Sequence, residues 1–337
     1  MSDKSGLSDQ VLAAMQGVKS FTREKEVQFE EITSNSNFNY LYKCKINQQQ
    51  YFLKVLMAAP KALKKELPAE RVLGEIRGIN TFNITNKGAR NALAPEVISY
   101  DEENCALLLS DIGGGRFNLA DLENKNTPLL ASESSRLALA TGRWHSMARH
   151  GSEIHDFGYE EDLRAFIFQS LIAPGIKEIC GDSADSVLGR MLNTRECLIH
   201  SDLWAKNIFV GETKDVALID FEGCIVGDPC FDLSTLLAMS LYKILDVGEP
   251  LSYWESVANS ILKNYFSGLN DPAWKSDIMK RIYPYLGVMI ACRLFGPFPY
   301  VININREPIA NICRSLVAGE ISEICGIADY FDEIACV

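Results

Sequence analysis

The segment from His200 to Asp232, HSDLWAKNIFVGETKDVALIDFEGCIVGDPCFD, constrains this chain more than any other. A polar loop of pattern HxDxxxxN precedes two short apolar runs, NIFV and VALIDF, and the second run delivers Asp220. Short β-rich runs separated by turn residues read as strands. The spacing therefore predicts a hairpin whose ends bring Asn207 and Asp220 together. Oxygen-bearing side chains that converge in this way suit Mg2+, the ion that neutralises a phosphoryl group in transfer. Asp202 is then left to orient an acceptor hydroxyl and take its proton, with His200 expected to hold the loop rather than act as the base. A pair of hairpins with polar corners would use the same residue types, because Asp and Asn are common in turns. The upstream sequence separates the two readings.

Residues 27–56 contain three runs rich in aromatic and β-branched residues, VQFEEI, YLYKCKI and YFLKVL, parted by the polar turns TSNSNFN and NQQQ. These predict antiparallel hairpins. LKKELPAERVLGEIRGINTF follows, with Leu63, Leu67, Val72, Ile76 and Ile79 on a helical stripe that begins or kinks near Pro68. Two further strands, APEVISY and CALLLSDI, complete a small sheet. Lys54 sits inside the apolar run FLKVL, where burying an ammonium is costly without a partner. Glu75, or alternatively Glu70, on the following helix supplies one, and the pair would set the ammonium against nucleotide phosphates.

After Gly113–Gly115 the texture changes to long amphipathic helices. SSRLALATGRWHSMARH places Leu137, Ala140, Trp144 and Met147 or Ala148 on one face. Helical pattern continues through 160–196 with breaks expected at Pro174–Gly175 and Gly181, and helices fill the C-terminus. The predicted class is α+β with two lobes. Residues 1–113 form a small antiparallel sheet with one helix, and residues 114–337 form a larger, mainly helical lobe.

The chain has 337 residues, net charge -11 and 47% hydrophobic residues, so it can bury two cores and is not a sequence-independent nucleic-acid binder. The charge is uneven: residues 1–113 carry 14 basic and 14 acidic residues, the remainder 19 and 30. An acidic second lobe suggests a cationic acceptor. The most apolar stretch, Tyr283 to Ile302, contains Arg293, Pro297 and Pro299 and is too broken for a membrane span. The N-terminus MSDKSGLSDQ reads as neither signal nor transit peptide. Ten cysteines without a CxxC pair predict reduced thiols in a cytoplasmic protein.

With these residues in hand, the chain resembles the aminoglycoside phosphotransferase and choline-kinase-like branch of the protein-kinase-like fold from about Val27 onward. HSDLWAKN resembles the family's HGDxxxxN loop, LIDFE with GDPCFDL its IDFE…GDPxxDL, and TGRWHSMA the helix preceding the catalytic region. The resemblance implies an ATP-dependent phosphotransferase with Mg2+. Asp202 would be the catalytic Asp, Asn207 and Asp220 the metal ligands, Lys54 the phosphate-binding Lys and Glu75 its partner. Ser34, Asn35, Ser36 and Asn37 would belong to the loop over the phosphates, and Leu109 to Ile112 to the hinge that meets adenine. Asp232 would be the buried acid under the catalytic loop, with Asp228 anchoring the segment after the metal ligand.

Three departures bear on function. The phosphate loop SNSNFN has no glycine; Ser201 replaces the family's Gly, a mild change if the backbone angle there is ordinary; and no APE motif or long activation segment follows Asp220. The last points to a small-molecule alcohol as acceptor rather than a protein. An amino alcohol, an aminoglycoside or a sugar fits, with Tyr253, Trp254, Trp274 and Tyr283 as an aromatic wall for a quaternary amine. A second similarity, to methylthioribose kinases, rests on LPAERVLGEIRGI, LAPEVISYDEENCALLLSDI and ACRLFG with Arg293, and implies a sugar acceptor. The remaining alternative, a nucleotide-binding pseudokinase, would follow from loss of a metal ligand or base, and none is missing.

Overall fold

The computed structural model describes residues 9–22, 27–32, 39–57, 70–88, 92–112, 116–119, 131–150, 157–211, 215–299 and 305–327. Ser34, Asn35, Ser36, Asn37, Pro68, the glycine run 113–115 and Cys336 lie outside the described residues.

The first lobe is built on five antiparallel strands in the order β1-β2-β3-β6-β5: β1 Gln28–Glu31, β2 Asn39–Ile46, β3 Gln49–Leu56, β5 Val97–Asp101 and β6 Ala106–Ser110. The β2–β3 connection needs only Asn47 and Gln48, both with positive φ (48° and 68°), the conformation of a tight two-residue hairpin. One face of the sheet packs on helix α2, Arg71–Thr85, whose Val72, Ile79 and Phe82 are fully buried. The other is covered by helix α1, Asp9–Thr22, through Val11, Ala14, Met15 and Val18. Helix α1 was not foreseen in the sequence reading; its apolar residues recur every three to four positions and bury one stripe.

A short parallel strand, β4 Ala92–Leu93, leaves this lobe and pairs with β10 Val216–Leu218, which joins β9 Ile208–Val210 and β7 Phe117–Asn118 in a four-stranded sheet. A third ladder pairs β8 Cys197–Ile199 with β11 Ile225–Gly227. The β-rich insert is therefore tied to the first lobe through β4.

Helices make up the rest of the second lobe. Helix α3, Ala131–His150, buries Leu137, Ala140, Trp144 and Ala148, while Met147 is exposed. It packs on helix α8, Leu251–Leu269, so closely that a Cβ on Gly142 would lie 2.2 Å from the Tyr265 carbonyl oxygen. Helix α4, Glu160–Ala165, runs into seven residues of π-helix, Phe166–Ile172, and then into helix α5, Ala173–Cys180. Pro174 thus does not break the helical run. It occupies the opening turn of α5, where its missing N–H is tolerated, and the widened turns precede it. Gly181, at φ 55°, ends the run as expected. Helix α6, Asp185–Asn193, leads to β8, and α7, Cys230–Val247, α9, Pro272–Phe295, and α10, Arg306–Ala318, complete the core. Among the described residues no helix is long and apolar enough to cross a membrane, and none of the nine described cysteines forms a disulfide.

Candidate active site

The strand registers explain why residues far apart in sequence meet. The loop His200–Asn207 runs from the end of β8 to the start of β9, and Ile219–Cys224 runs from the end of β10 to the start of β11. Because Ile199 pairs with Ile225 and Ile208 with Leu218, both loops leave the ladders at the same end. The Ile219 N–H donates to the Asn207 carbonyl at 3.0 Å and cinches them together. The predicted hairpin is present, and Asn207 and Asp220 line one cleft of about 670 Å3 between the lobes.

A buried carboxylate organises the first loop. Asp232, on α7 with no exposed surface, accepts from the backbone N–H groups of His200 at 2.7 Å and Ser201 at 2.9 Å. His145 of α3 meets the same carboxylate through Nε2 at 3.1 Å, and its Nδ1 lies 2.8 Å from the Tyr265 hydroxyl. His200 Nδ1 accepts from the Asp202 N–H at 3.2 Å, so the proton sits on Nε2, which donates to the Ile219 carbonyl at 3.0 Å. Burial pushes the His200 imidazole below its ordinary pKa, consistent with a neutral ring that spaces the two loops. Asp228 accepts from the Cys230 N–H, Tyr285 and Arg281, and so ties the segment after Asp220 to α9.

The expectation for Ser201 needs correcting: its φ is 64°, in the left-handed region. A side chain there carries a steric penalty that glycine escapes. Ser201 offsets it by donating from Oγ to the Gly223 carbonyl at 2.7 Å, a bond glycine cannot make.

Across the cleft, Lys54 is buried in β3 and its Nζ lies 2.8 Å from Glu75 Oε1, 2.5 Å from Asp220 Oδ1 and 3.6 Å from Glu222 Oε2. The partner on α2 is Glu75; Glu70 precedes the helix and is exposed. Glu75 reaches this point because Gly78, one turn on, lets α2 rest on the second loop: a Cβ there would lie 2.9 Å from Phe221. Three carboxylates surround one ammonium, and burial and the ammonium pull their protonation in opposite directions. Burial pushes Glu75 up to about 7, against the pull of Lys54. Burial likewise raises Glu222. Asp220, although burial works to raise it, is held below its ordinary value by Lys54, with Lys206 adding to the effect. Glu75 Oε2 and Glu222 Oε2 are buried without hydrogen-bond partners.

On the loop opposite, Asn207 Nδ2 donates to Asp202 Oδ2 at 2.7 Å and to the Asp202 carbonyl at 2.9 Å. That fixes the amide and leaves its oxygen outside these bonds, and Asn207 and Asp220, both with hard oxygen donors, line the cleft. These oxygens and the surplus negative charge fit a divalent cation, with further coordination to come from a ligand because two protein donors do not fill an octahedral shell.

Leu109 and Ile112 both line the cleft. The backbone of Leu109 is held in the ladder between Phe52 and Val97, and the Ile112 carbonyl accepts from Arg116 Nη1 at 2.6 Å. Arg116 also pairs with Asp215 in the β9–β10 turn, so the Leu109–Ile112 segment is braced against the β9–β10 hairpin. The aromatic wall is not there. Trp254 and Trp274 are core residues bonded to Ser240 and Glu196, and neither they, Tyr253 nor Tyr283 is among the cleft-lining side chains. Lys206, Glu222 and Trp204 also line the cleft although the sequence did not single them out as site members, and Arg293, the candidate in ACRLFG, lines it beside Trp204. Their positions within HSDLWAKN, LIDFE and ACRLFG were the available signals.

The profile of the phosphotransferase enzyme family matches residues 39–265, and the chain belongs to that family. It is a small-molecule kinase by family. No curated protein matches the chain. Its fold is similar to that of the choline kinase LicA from Streptococcus pneumoniae, 16% identical over 93% of this chain and 100% of that one, TM-score 0.51. An amicoumacin kinase solved with AMP-PNP, Ca2+ and Ami is 14% identical over 94% and 97%, TM-score 0.56. A Plasmodium vivax ethanolamine kinase is 12% identical over 95% and 89%, TM-score 0.50.

Proposed function

We propose that this protein transfers the γ-phosphate of ATP to a hydroxyl of a small molecule, with residues 1–113 as the nucleotide lobe and 114–337 as the acceptor lobe. One observation carries the reading: Lys54 of the sheet lobe lies within hydrogen-bond reach of both Glu75 and Asp220, in a cleft it shares with Asp202 and Asn207. A lysine from one lobe and oxygen donors from the other are what a triphosphate demands.

Lys54, kept aimed by Glu75, would turn from Asp220 to the phosphate oxygens of a bound nucleotide. Magnesium, held by Asp220 and Asn207, would neutralise the charge on the transferred group and the departing diphosphate. Asp202 is positioned to receive the acceptor's proton: its Oδ2 is held by Asn207, and its backbone N–H is fixed by His200. The loop needs little reorganisation, because Asp232 already satisfies two of its N–H groups. The hinge Leu109–Ile112 is assigned to adenine and Ser34–Asn37 to the phosphates. Ten scattered cysteines without a CxxC pair support a reducing, cytoplasmic setting.

The test is Asp202→Ala in a coupled ADP-release assay with an acceptor. Transfer should fall by at least about 10^2-fold, the scale of a lost general base, while the affinity for magnesium nucleotide stays within about threefold of wild type on the same argument. Turnover that survives within a few-fold would refute the assignment.

A further inference from the structure

The acceptor side of the cleft has a chemistry that the overall charge of the lobe does not suggest, and the inference drawn from it rests on the phosphotransferase reading above. The acidic surplus of the second lobe is not there. Among the described residues, the only carboxylates that this lobe contributes to the cleft are Asp202, Asp220 and Glu222, all already assigned or close to Lys54. What faces Asp202 instead is a cation. Arg293, near the end of α9, places Nη2 3.7 Å from Asp202 Oδ1, and its guanidinium lies 3.8 Å from the centroid of the Trp204 ring. Trp204, the one tryptophan among the lining residues, is thus covered by a positive charge.

Arg293 is also underused. Its contact with Asp202 is too long for a hydrogen bond, and its Nε is buried with no hydrogen-bond partner. Stacking on Trp204 orients the planar donor fork without consuming its N–H groups. Beside it the wall is apolar: Ile167, Leu171 and Ile172 of the π-helix, with half-exposed Phe298 at the rim. Cys292 Sγ, against the Leu171 carbonyl at 3.4 Å, joins the π-helix to the turn of α9 that carries Arg293. Widened π-turns recur at binding sites.

We propose that the acceptor is a non-cationic alcohol with an apolar body. The body lies against Ile167, Leu171, Ile172 and Phe298. Two neighbouring oxygens, from a vicinal diol or a carboxylate, bind the Arg293 fork and present the adjacent hydroxyl to Asp202. A quaternary amine or a polycationic sugar would meet a guanidinium where it needs an anion or an open aromatic face. Arg293 is therefore a specificity-determining residue.

The test measures ADP release under saturating magnesium ATP. Monoalkyl glycosides supply the diol and alkyl-substituted hydroxy acids the carboxylate; choline, ethanolamine and kanamycin are the cationic arm. At least one non-cationic class should show kcat/KM about tenfold or more above every amine, the scale of one charge-assisted pair, and which class does so distinguishes diol from carboxylate. Arg293→Gln should raise the acceptor KM about tenfold while the KM for ATP moves less than twofold, and Arg293→Lys should recover only part, because a single ammonium lacks the fork. Thermal midpoints of both variants report whether they are folded. Preference for an amine, or an acceptor KM unchanged in Arg293→Gln, overturns the proposal. Nucleotide binding without turnover of any non-cationic alcohol overturns the acceptor assignment alone; absence of magnesium-nucleotide binding by the wild type overturns the phosphotransferase reading and this proposal together.

Discussion

Ser201 sets two opposed effects against each other in one residue, and substituting it separates them. Its φ of 64° costs an ordinary side chain roughly 1–2 kcal/mol relative to glycine. Its Oγ returns about 1 kcal/mol through the 2.7 Å bond to Gly223. Ser201→Gly removes both, so stability should change by less than about 1 kcal/mol. Ser201→Ala keeps the strained angle and loses only the bond, so it should cost about 1 kcal/mol. Both variants lose the bond, so alanine should be less stable than glycine by the strain alone, roughly 1–2 kcal/mol, the reverse of their usual order in regular structure. Urea unfolding followed by fluorescence at one pH measures the ranking. Because both loop N–H groups still meet Asp232, Ser201→Gly should also retain transfer. If Ser201→Ala equals or exceeds Ser201→Gly in stability, the balance drawn here between strain and hydrogen bond is wrong.

Four further outcomes are expected. Glu75 is raised from 4.5 to about 7 in the folded chain, so the fold holds a proton that the unfolded chain releases. That contribution to stability is complete below about pH 4.5 and is lost as pH rises through about 7. In ligand-free protein, Glu75→Gln should flatten the decline across this window in urea-midpoint measurements, and an unchanged slope would count against it. Arg281→Ala removes the cation facing buried Asp228 and half-buried Glu196 and should destabilise the fold by about 3–5 kcal/mol in the same assay, whereas a change below about 1 kcal/mol would mean the network is slack. Gly142→Ala forces a methyl to within 2.2 Å of the Tyr265 carbonyl and should cost about 1–3 kcal/mol, read as a lower thermal midpoint. His145→Phe leaves Asp232 without one partner but keeps both loop bonds, so transfer should fall less than in Asp202→Ala, as ADP release will show.

How much of this could be read from the sequence depended on whether a signal was local. Strands β2 and β3 and the loops around Asp202 and Asp220 announce themselves by alternation, turn residues and spacing, and the structure joins them as that pattern implied. The Lys54–Glu75 pair was legible because a lysine in an apolar strand requires a partner, although the choice between Glu70 and Glu75 needed the phase of α2. Helix α1 was passed over because its short apolar stripe is diluted by polar neighbours. The left-handed angle at Ser201 left one trace, the glycine that the resembled family has there, whereas the bond from its N–H to Asp232, 31 residues away, left none. Tyr253, Trp254, Trp274 and Tyr283 show the limit from the other side. Aromatic residues at helical spacing suit a ligand wall and a core equally well, and packing decides which. Arg293 had a motif but no partner until α9 was folded against the catalytic loop.

The central claim, that Lys54, Asn207 and Asp220 jointly receive a magnesium-bound triphosphate, is tested most directly by calorimetric titration of a non-hydrolysable ATP analogue with and without Mg2+, in wild type and in Asp220→Ala. The account predicts binding that tightens about tenfold or more with Mg2+ in the wild type and loses that dependence in the variant, as expected for a carboxylate that shares the ion with phosphates. Equal heats with and without the metal, or the same metal dependence in Asp220→Ala, would contradict it.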